Sequence, residues 1–246
     1  MENKEFLITL AEIEVAFRFH FSGTGMLFRS YERKKISDGY IGPFLSVDPE
    51  EILEYVDEQS CQPEFAEYCC AMMKAADFLT EKEYAMFHGV AFIYGEGAYI
   101  LTAPSGTGKS TQFRNLHILY GKTCRIINGD KPILGPGKDG SIVVYPSPWN
   151  GKERWAGREH APLRGLVLLE QGNENIIRKM SQQEAVVPVL EQFLYTAPNR
   201  QSVRTVCRMA DSMISNVPIY HLVNKGDLAS TRILFDCIKR EEERWQ

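Results

Sequence analysis

The chain has 246 residues, with 28 lysines and arginines against 32 aspartates and glutamates, and a formal net charge of −4 at pH 7. Its 44% hydrophobic and 24% charged residues are the composition of a globular protein with a sizeable core, in one large domain or two small ones. The acidic balance argues against broad binding to nucleic acid or to an anionic membrane, and no apolar run approaches the ~18 residues of a membrane span.

Met1 to Glu5 is acidic where a secretory leader would be basic, and Glu12 and Glu14 interrupt the apolar stretch that follows, so no leader is expected. Phe6 to Leu10, and then Ile13, Val15, Phe17, Phe19 and Phe21, alternate with period two and predict strands across the first 45 residues. Ser46 to Glu51 resembles a helix start, with Pro49 and acids in the first turn. Pro63 to Leu79 predicts a second helix. Cys69 and Cys70 fall on it, where adjacent side chains diverge. The six cysteines have no C-x-x-C spacing and read as small hydrophobes in a reducing, cytoplasmic compartment.

Ala85 to Tyr94 predicts a strand, Gly95-Glu96-Gly97 a turn and Ala98 to Thr102 its partner strand. A glycine-rich loop and a helix over about Lys109 to Leu119 come next, followed by a short apolar strand, Cys124 to Asn128, that ends in a polar tip. The turn Pro136 to Gly140 predicts antiparallel neighbours, with Ser141 to Tyr145 returning. Leu163 to Leu169 is apolar enough for a central strand. Ser181-Gln182-Gln183-Glu184 has capping-box spacing, Val203 to Ser215 reads as helix, Pro218 to Val223 as strand, and a charged helix closes the chain. The expected fold class is α/β with a mixed sheet. The expected division is a β-rich and helical region over 1–82 packed on a core domain over 83–246.

The segment with the clearest chemistry is Ala103-Pro104-Ser105-Gly106-Thr107-Gly108-Lys109-Ser110-Thr111. It matches the phosphate loop G-x-x-x-x-G-K-[ST] with alanine for the first glycine. Gly106 and Gly108 let backbone N–H groups approach phosphate oxygens, Lys109 offers a compact positive charge, and the Ser110 hydroxyl suits Mg²⁺. The helix that starts there points its positive end at the same anion. These residues, Ser105 to Thr111, are the candidate nucleotide-binding set.

Arg125 to Asp130 is an apolar strand ending in a carboxylate, so Asp130 can hold Mg²⁺ or accept a proton from an attacking hydroxyl; alone, Asn128-Gly129-Asp130 would be only a turn. His88, on the strand before the Gly95-Glu96-Gly97 turn, would approach the phosphates if that turn makes a hairpin. A lone histidine on an apolar strand is more often structural. The stiff loop Tyr145-Pro146-Ser147-Pro148-Trp149-Asn150-Gly151-Lys152 could cover a nucleotide, with Lys152 or Arg158 neutralising charge. It could equally be a connector with Trp149 in the core. His20, His117, His160 and His221 show no metal-ligand spacing.

The run His88-Gly89-Val90-Ala91-Phe92, then Gly97 to Leu101, then Ser105 to Ser110 resembles the core of HPr kinase/phosphorylase and its relatives. Their fold is shared with phosphoenolpyruvate carboxykinase. The Asn128 to Pro132 and Ser147 to Lys152 segments are similar to those of a less characterised HPr-kinase-related branch, and the resemblance spans roughly 85–225. It implies a carboxykinase-type P-loop domain with an N-terminal β-rich extension. It also implies a Mg²⁺- and ATP-dependent kinase acting on serine in a peptide or small protein. His88, Lys109 and Asp130 become active-site candidates, with Ser110 and Asp130 as Mg²⁺ ligands. The sequence departs from the better-known pattern at Gly129, where that family has the first of two aspartates. Glu153, Arg154, Arg158 and Glu159 lie in the neighbourhood of its downstream glutamate and arginine, and Arg164 opens the next strand. A non-catalytic nucleotide sensor or docking protein, and a carboxykinase-related or small-metabolite enzyme, stay open as alternatives. ATP or GTP, and a homo-oligomeric state, are also left open.

Overall fold

The computed structural model describes residues 5–28, 31, 33–104, 106–196 and 198–245. Its elements in chain order are β1 (Glu5–Leu10), β2 (Ile13–Arg18), α1 (Ser22–Leu27), β3 (Phe44–Ser46), α2 (Pro49–Gln59), α3 (Pro63–Glu81), β4 (Ala85–Phe87), β5 (Val90–Tyr94) and β6 (Gly97–Thr102). Then follow α4 (Lys109–Tyr120), β7 (Arg125–Asn128), β8 (Ile133–Pro136), β9 (Ile142–Tyr145), β10 (Ala161–Gln171), β11 (Ile176–Lys179), α5 (Gln182–Leu190), β12 (Phe193–Leu194), α6 (Arg200–Asn216), β13 (Ile219–Asn224) and α7 (Leu228–Trp245).

Ten strands form one mixed sheet in the order β12-β4-β8-β9-β10-β6-β5-β7, with β13 and β11 continuing from β10. β10 runs parallel to β6 and β13 at its centre, as its apolar run predicts. Side chains alternate across this sheet with period two. Ala91, Ile93, Ala98, Ile100 and Leu166 face α5 and α6, whereas Val90, Phe92, Tyr99, Leu101 and Val167 face α4 and α7. A smaller sheet, β1-β2-β3, packs with α2 and α3 over Met86, Ile133, Tyr145 and Trp149 in a third cluster.

Local signals explain several boundaries. Asp48 and Glu51 make a reciprocal capping box with Pro49 at the start of α2, and Ser181 and Glu184 make another at α5. Two expectations need correction. Residues 85–94 are two strands, because Gly89 breaks the run: a Cβ there would lie 2.6 Å from Ile100 Cγ2 and 2.9 Å from the Leu101 carbonyl oxygen. Residues 1–45 are not extended throughout, since Ser22–Leu27 is helical. The buried Glu67 on α3 accepts the backbone N–H groups of His20 (2.5 Å) and Phe21 (3.2 Å) and the Thr24 hydroxyl, holding the start of α1.

All six cysteines are free; Cys69, Cys70, Cys124 and Cys237 are buried, Cys61 is half-buried and Cys207 exposed. Among the described residues no helix is long and apolar enough to cross a membrane.

Candidate functional site

Strand direction gathers the candidate residues at one edge of the large sheet. β5 is antiparallel to both β6 and β7, pairing Val90 with Leu101 and Ala91 with Asn128. The start of β5 therefore lies beside the ends of β6 and β7. His88 precedes that start, the glycine loop leaves the end of β6, and Asp130 follows the end of β7. The Thr102 hydroxyl donates to the His88 carbonyl (2.7 Å) and the Gly89 N–H to the Asp130 carbonyl (2.9 Å), tying the three segments together. Ligands of open α/β sheets collect at such carboxyl ends.

Gly106 (φ +84°) and Gly108 (φ +100°) both occupy the left-handed region, and nothing lies within 4 Å of where their side chains would be. The loop is a turn open on its outer side, and Gly108 caps α4. The first amides of a helix have no intrahelical acceptor. Thr107 closes the turn by donating its hydroxyl to the Pro104 carbonyl (2.8 Å), and Gln171 at the end of β10 donates to the Gly106 carbonyl (3.3 Å). Ser105 lies outside the described residues. Ser110 and Thr111, half-buried, sit in the first turn of α4.

Lys109 is 8% exposed, and its ammonium donates to the carbonyls of Ala103 (2.7 Å) and Pro104 (3.2 Å), spanning the mouth of the loop. Burial is the main cause that lowers its pKa to about 8; Asp130 opposes that shift and Lys131 adds to it. Buried hydrogen bonds hold α4 in place. Gln112 donates to Asn224 (3.0 Å) and to the Ser230 hydroxyl (2.7 Å), and accepts from Thr231 (2.7 Å). Nothing in the spacing of Gln112 could have pointed to this, because its partners lie more than a hundred residues away.

Asp130 lies between two partners. His88 Nε2 is 3.4 Å from Oδ1 and Lys131 Nζ is 2.9 Å from Oδ2. Burial by itself would raise the Asp130 carboxyl; the His88 contact and the Lys131 charge outweigh it and hold the group below the usual carboxylate range. The turn beneath is fixed by the buried Asn128, whose side-chain oxygen accepts the N–H groups of Asp130 (2.8 Å) and Lys131 (2.7 Å) and whose amide donates to the Ser147 carbonyl (3.0 Å).

The loop 147–157 clamps this turn from outside. Lys131 N–H donates to the Trp149 carbonyl (3.1 Å), Gly129 N–H to the Trp155 carbonyl (2.9 Å) and Gly157 N–H to the Ile127 carbonyl (2.9 Å). Gly129 has no room for a side chain: a Cβ would lie 2.7 Å from the Asn150 carbonyl oxygen and 3.1 Å from Trp155 Cβ. Trp149 is 1% exposed, donates its indole N–H to the Tyr68 carbonyl (3.2 Å) and meets Phe17 and Phe28 edge-on. Trp149 therefore lies in the core, as the connector expectation has it. Glu153 and Glu159 pair with Arg114 and Arg125, while Arg164 pairs with the buried Glu242 at the opposite end of β6, away from the site.

Asp130 and Ser110 carry hard oxygen donors of the kind Mg²⁺ takes. Asp130 supplies one partly exposed carboxylate and Ser110 one hydroxyl, and Mg²⁺ takes few protein oxygens and keeps water and phosphate ligands. Among the described residues no group of three or more His, Cys, Asp or Glu is placed to hold a metal ion.

Fold and site together define an α/β protein with a mixed sheet, seven helices among the described residues, and a glycine turn beside a carboxylate–histidine pair. No protein-family model matches the chain, and no curated protein matches it. Among solved structures, the Hpr(Ser) kinase/phosphatase from Coxiella burnetii is similar over 53% of this chain and 91% of its own, at 8% identity and a TM-score of 0.28.

Proposed function

We propose that this chain is a Mg-ATP-dependent phosphotransferase whose acceptor is a serine hydroxyl on a peptide or small protein, with 83–246 as the phosphotransfer domain and 1–82 as a layer packed on it. One observation supports this above the rest: the open glycine turn at the head of α4 lies on the same sheet edge as the His88–Asp130 pair, with Lys109 within electrostatic reach of Asp130. The amides from 106 to 111, and Lys109, would bind the β- and γ-phosphates. Ser110 and Asp130 would hold Mg²⁺, which when bound neutralises charge on the phosphates. With Nε2 turned to Asp130, His88 keeps Nδ1 as the ring atom that accepts the serine proton. In a loose transition state this chain contributes chiefly positioning and charge. The six free cysteines support a reducing compartment such as the cytoplasm.

Incubation with γ-labelled ATP and serine-containing peptides tests the reading. Label should move to serine, and Lys109→Ala should abolish both transfer and ATP binding; unchanged behaviour of that variant would end the proposal. The packing at Gly129 favours a second reading, a nucleotide-binding protein without catalysis, because the site offers one carboxylate where related kinases are expected to have two. ATP binding with no transfer to any acceptor, and no hydrolysis, would select it.

A further inference from the structure

Lys131 is the charged residue of the site to which the nucleotide reading gives no task. Its side chain is only 15% exposed, and its ammonium lies 2.9 Å from Asp130 Oδ2. Its backbone is held more tightly than an incidental ion pair requires: the N–H donates to Asn128 Oδ1 (2.7 Å) and to the Trp149 carbonyl (3.1 Å), and its carbonyl accepts the Ser147 hydroxyl (2.5 Å). Ser147 and Asn128 are themselves buried. The result is a positive charge whose stem starts from a fixed point, on the wall that carries Asp130.

That charge stands beside a second one. The buried Lys109 ammonium, bonded to the Ala103 and Pro104 carbonyls, belongs to the glycine turn at the same end of the sheet. Asp130 is the carboxylate paired with Lys131 at this end of the sheet. Two cations and a single anion at the mouth of an amide-lined turn leave an excess of positive charge, which a polyphosphate would neutralise. Asp130 Oδ2, the oxygen Lys131 occupies, is also an oxygen a metal would need.

We propose that Lys131 is a second phosphate-binding cation, paired with Asp130 and released to a terminal-phosphate oxygen when a nucleoside triphosphate binds. The inference rests on the nucleotide reading and adds a residue to it. No proton moves and no covalent bond changes; one ion pair is exchanged for another. Lys131 sits on the Asp130 side, where the terminal phosphate would lie, so its contribution should distinguish a triphosphate from a diphosphate.

Titration calorimetry of the full chain with ATP, ADP and inorganic pyrophosphate, in EDTA and again with Mg²⁺, tests this. In EDTA, Lys131→Met should weaken ATP on the order of tenfold and ADP by less than about threefold, the loss expected for one charge-assisted bond. Lys131→Arg should restore most of the ATP affinity, and circular dichroism should show both variants folded. With Mg²⁺, Lys131→Met should slow transfer of the γ-phosphate while leaving Mg·ADP affinity unchanged. Equal ATP affinity in wild type and Lys131→Met, or equal weakening of ATP and ADP, would overturn the role of Lys131 alone. A wild-type chain that binds neither ATP nor pyrophosphate would overturn the nucleotide reading, and Lys131's role with it.

Discussion

Nε2 of His88 lies 3.4 Å from Oδ1 of Asp130, although one residue precedes the start of β5 and the other follows the end of β7. The pair exists because β5 and β7 run antiparallel, which sets beginning against end. If His88 takes the serine proton, His88→Ala should lower kcat by about 10²–10⁴-fold with little change in the affinity for ATP, the range of a lost general base. Steady-state kinetics with a labelled acceptor would check the split between kcat and KM.

Asp130 also links the site to acid stability. Its carboxyl titrates below its unfolded value of ~3.9, so the charged form contributes stability that is fully present above that value and is lost as pH falls through the lower folded one. Asp130→Asn should therefore flatten the dependence of unfolding free energy on pH below about 4, as measured by urea titration at successive pH values.

Lys109 predicts a limit on the alkaline side. With the free-state ammonium titrating at about 8, phosphate affinity should decline as pH rises through that value, approaching a tenfold loss per unit where the charge must be recovered on binding. Calorimetry with ATP between pH 7 and 10 should show the decline in wild type and not in Lys109→Arg, whose guanidinium keeps its charge over that range.

Gly129 is a steric requirement. Gly129→Ala sets a methyl group 2.7 Å from the Asn150 carbonyl and should destabilise the fold by about 1–3 kcal/mol, the usual cost of overpacking. Gly129→Asp should gain no transfer activity, since the loop 147–157 fills the space its carboxylate would need. Chemical denaturation and a transfer assay read the two outcomes.

How much was legible differs from element to element, for physical reasons. The glycine turn, the Ser181–Glu184 capping box, β10 and the long helices are written in local spacing, and each lies where its residues predict. The break at Gly89 is set by Ile100 and Leu101 across the sheet, α1 is held by a carboxylate more than forty residues away, and Gln112 finds its partners on β13 and α7. Such features depend on neighbours that no window of sequence contains. Lys131 was visible as a residue; its pairing needed the turn held by Asn128.

Trp149 has the widest reach of the residues in the clamping loop. Trp149→Ala should lose about 3–5 kcal/mol by opening a cavity among Phe17, Phe28 and Tyr68, whereas Trp149→Phe should lose about 1 kcal/mol with the indole bond to Tyr68. Thermal melts would rank the two.

Trp149 also couples the N-terminal sheet and helices to the site. Its ring is seated in the N-terminal layer while its carbonyl holds the backbone of Lys131. A displacement of β2 or α3 is thus transmitted directly to the strip of backbone bearing Asp130. A fragment cut at residue 83, or a hybrid with a foreign N-terminal half, would inherit the glycine turn intact but a misaligned carboxylate.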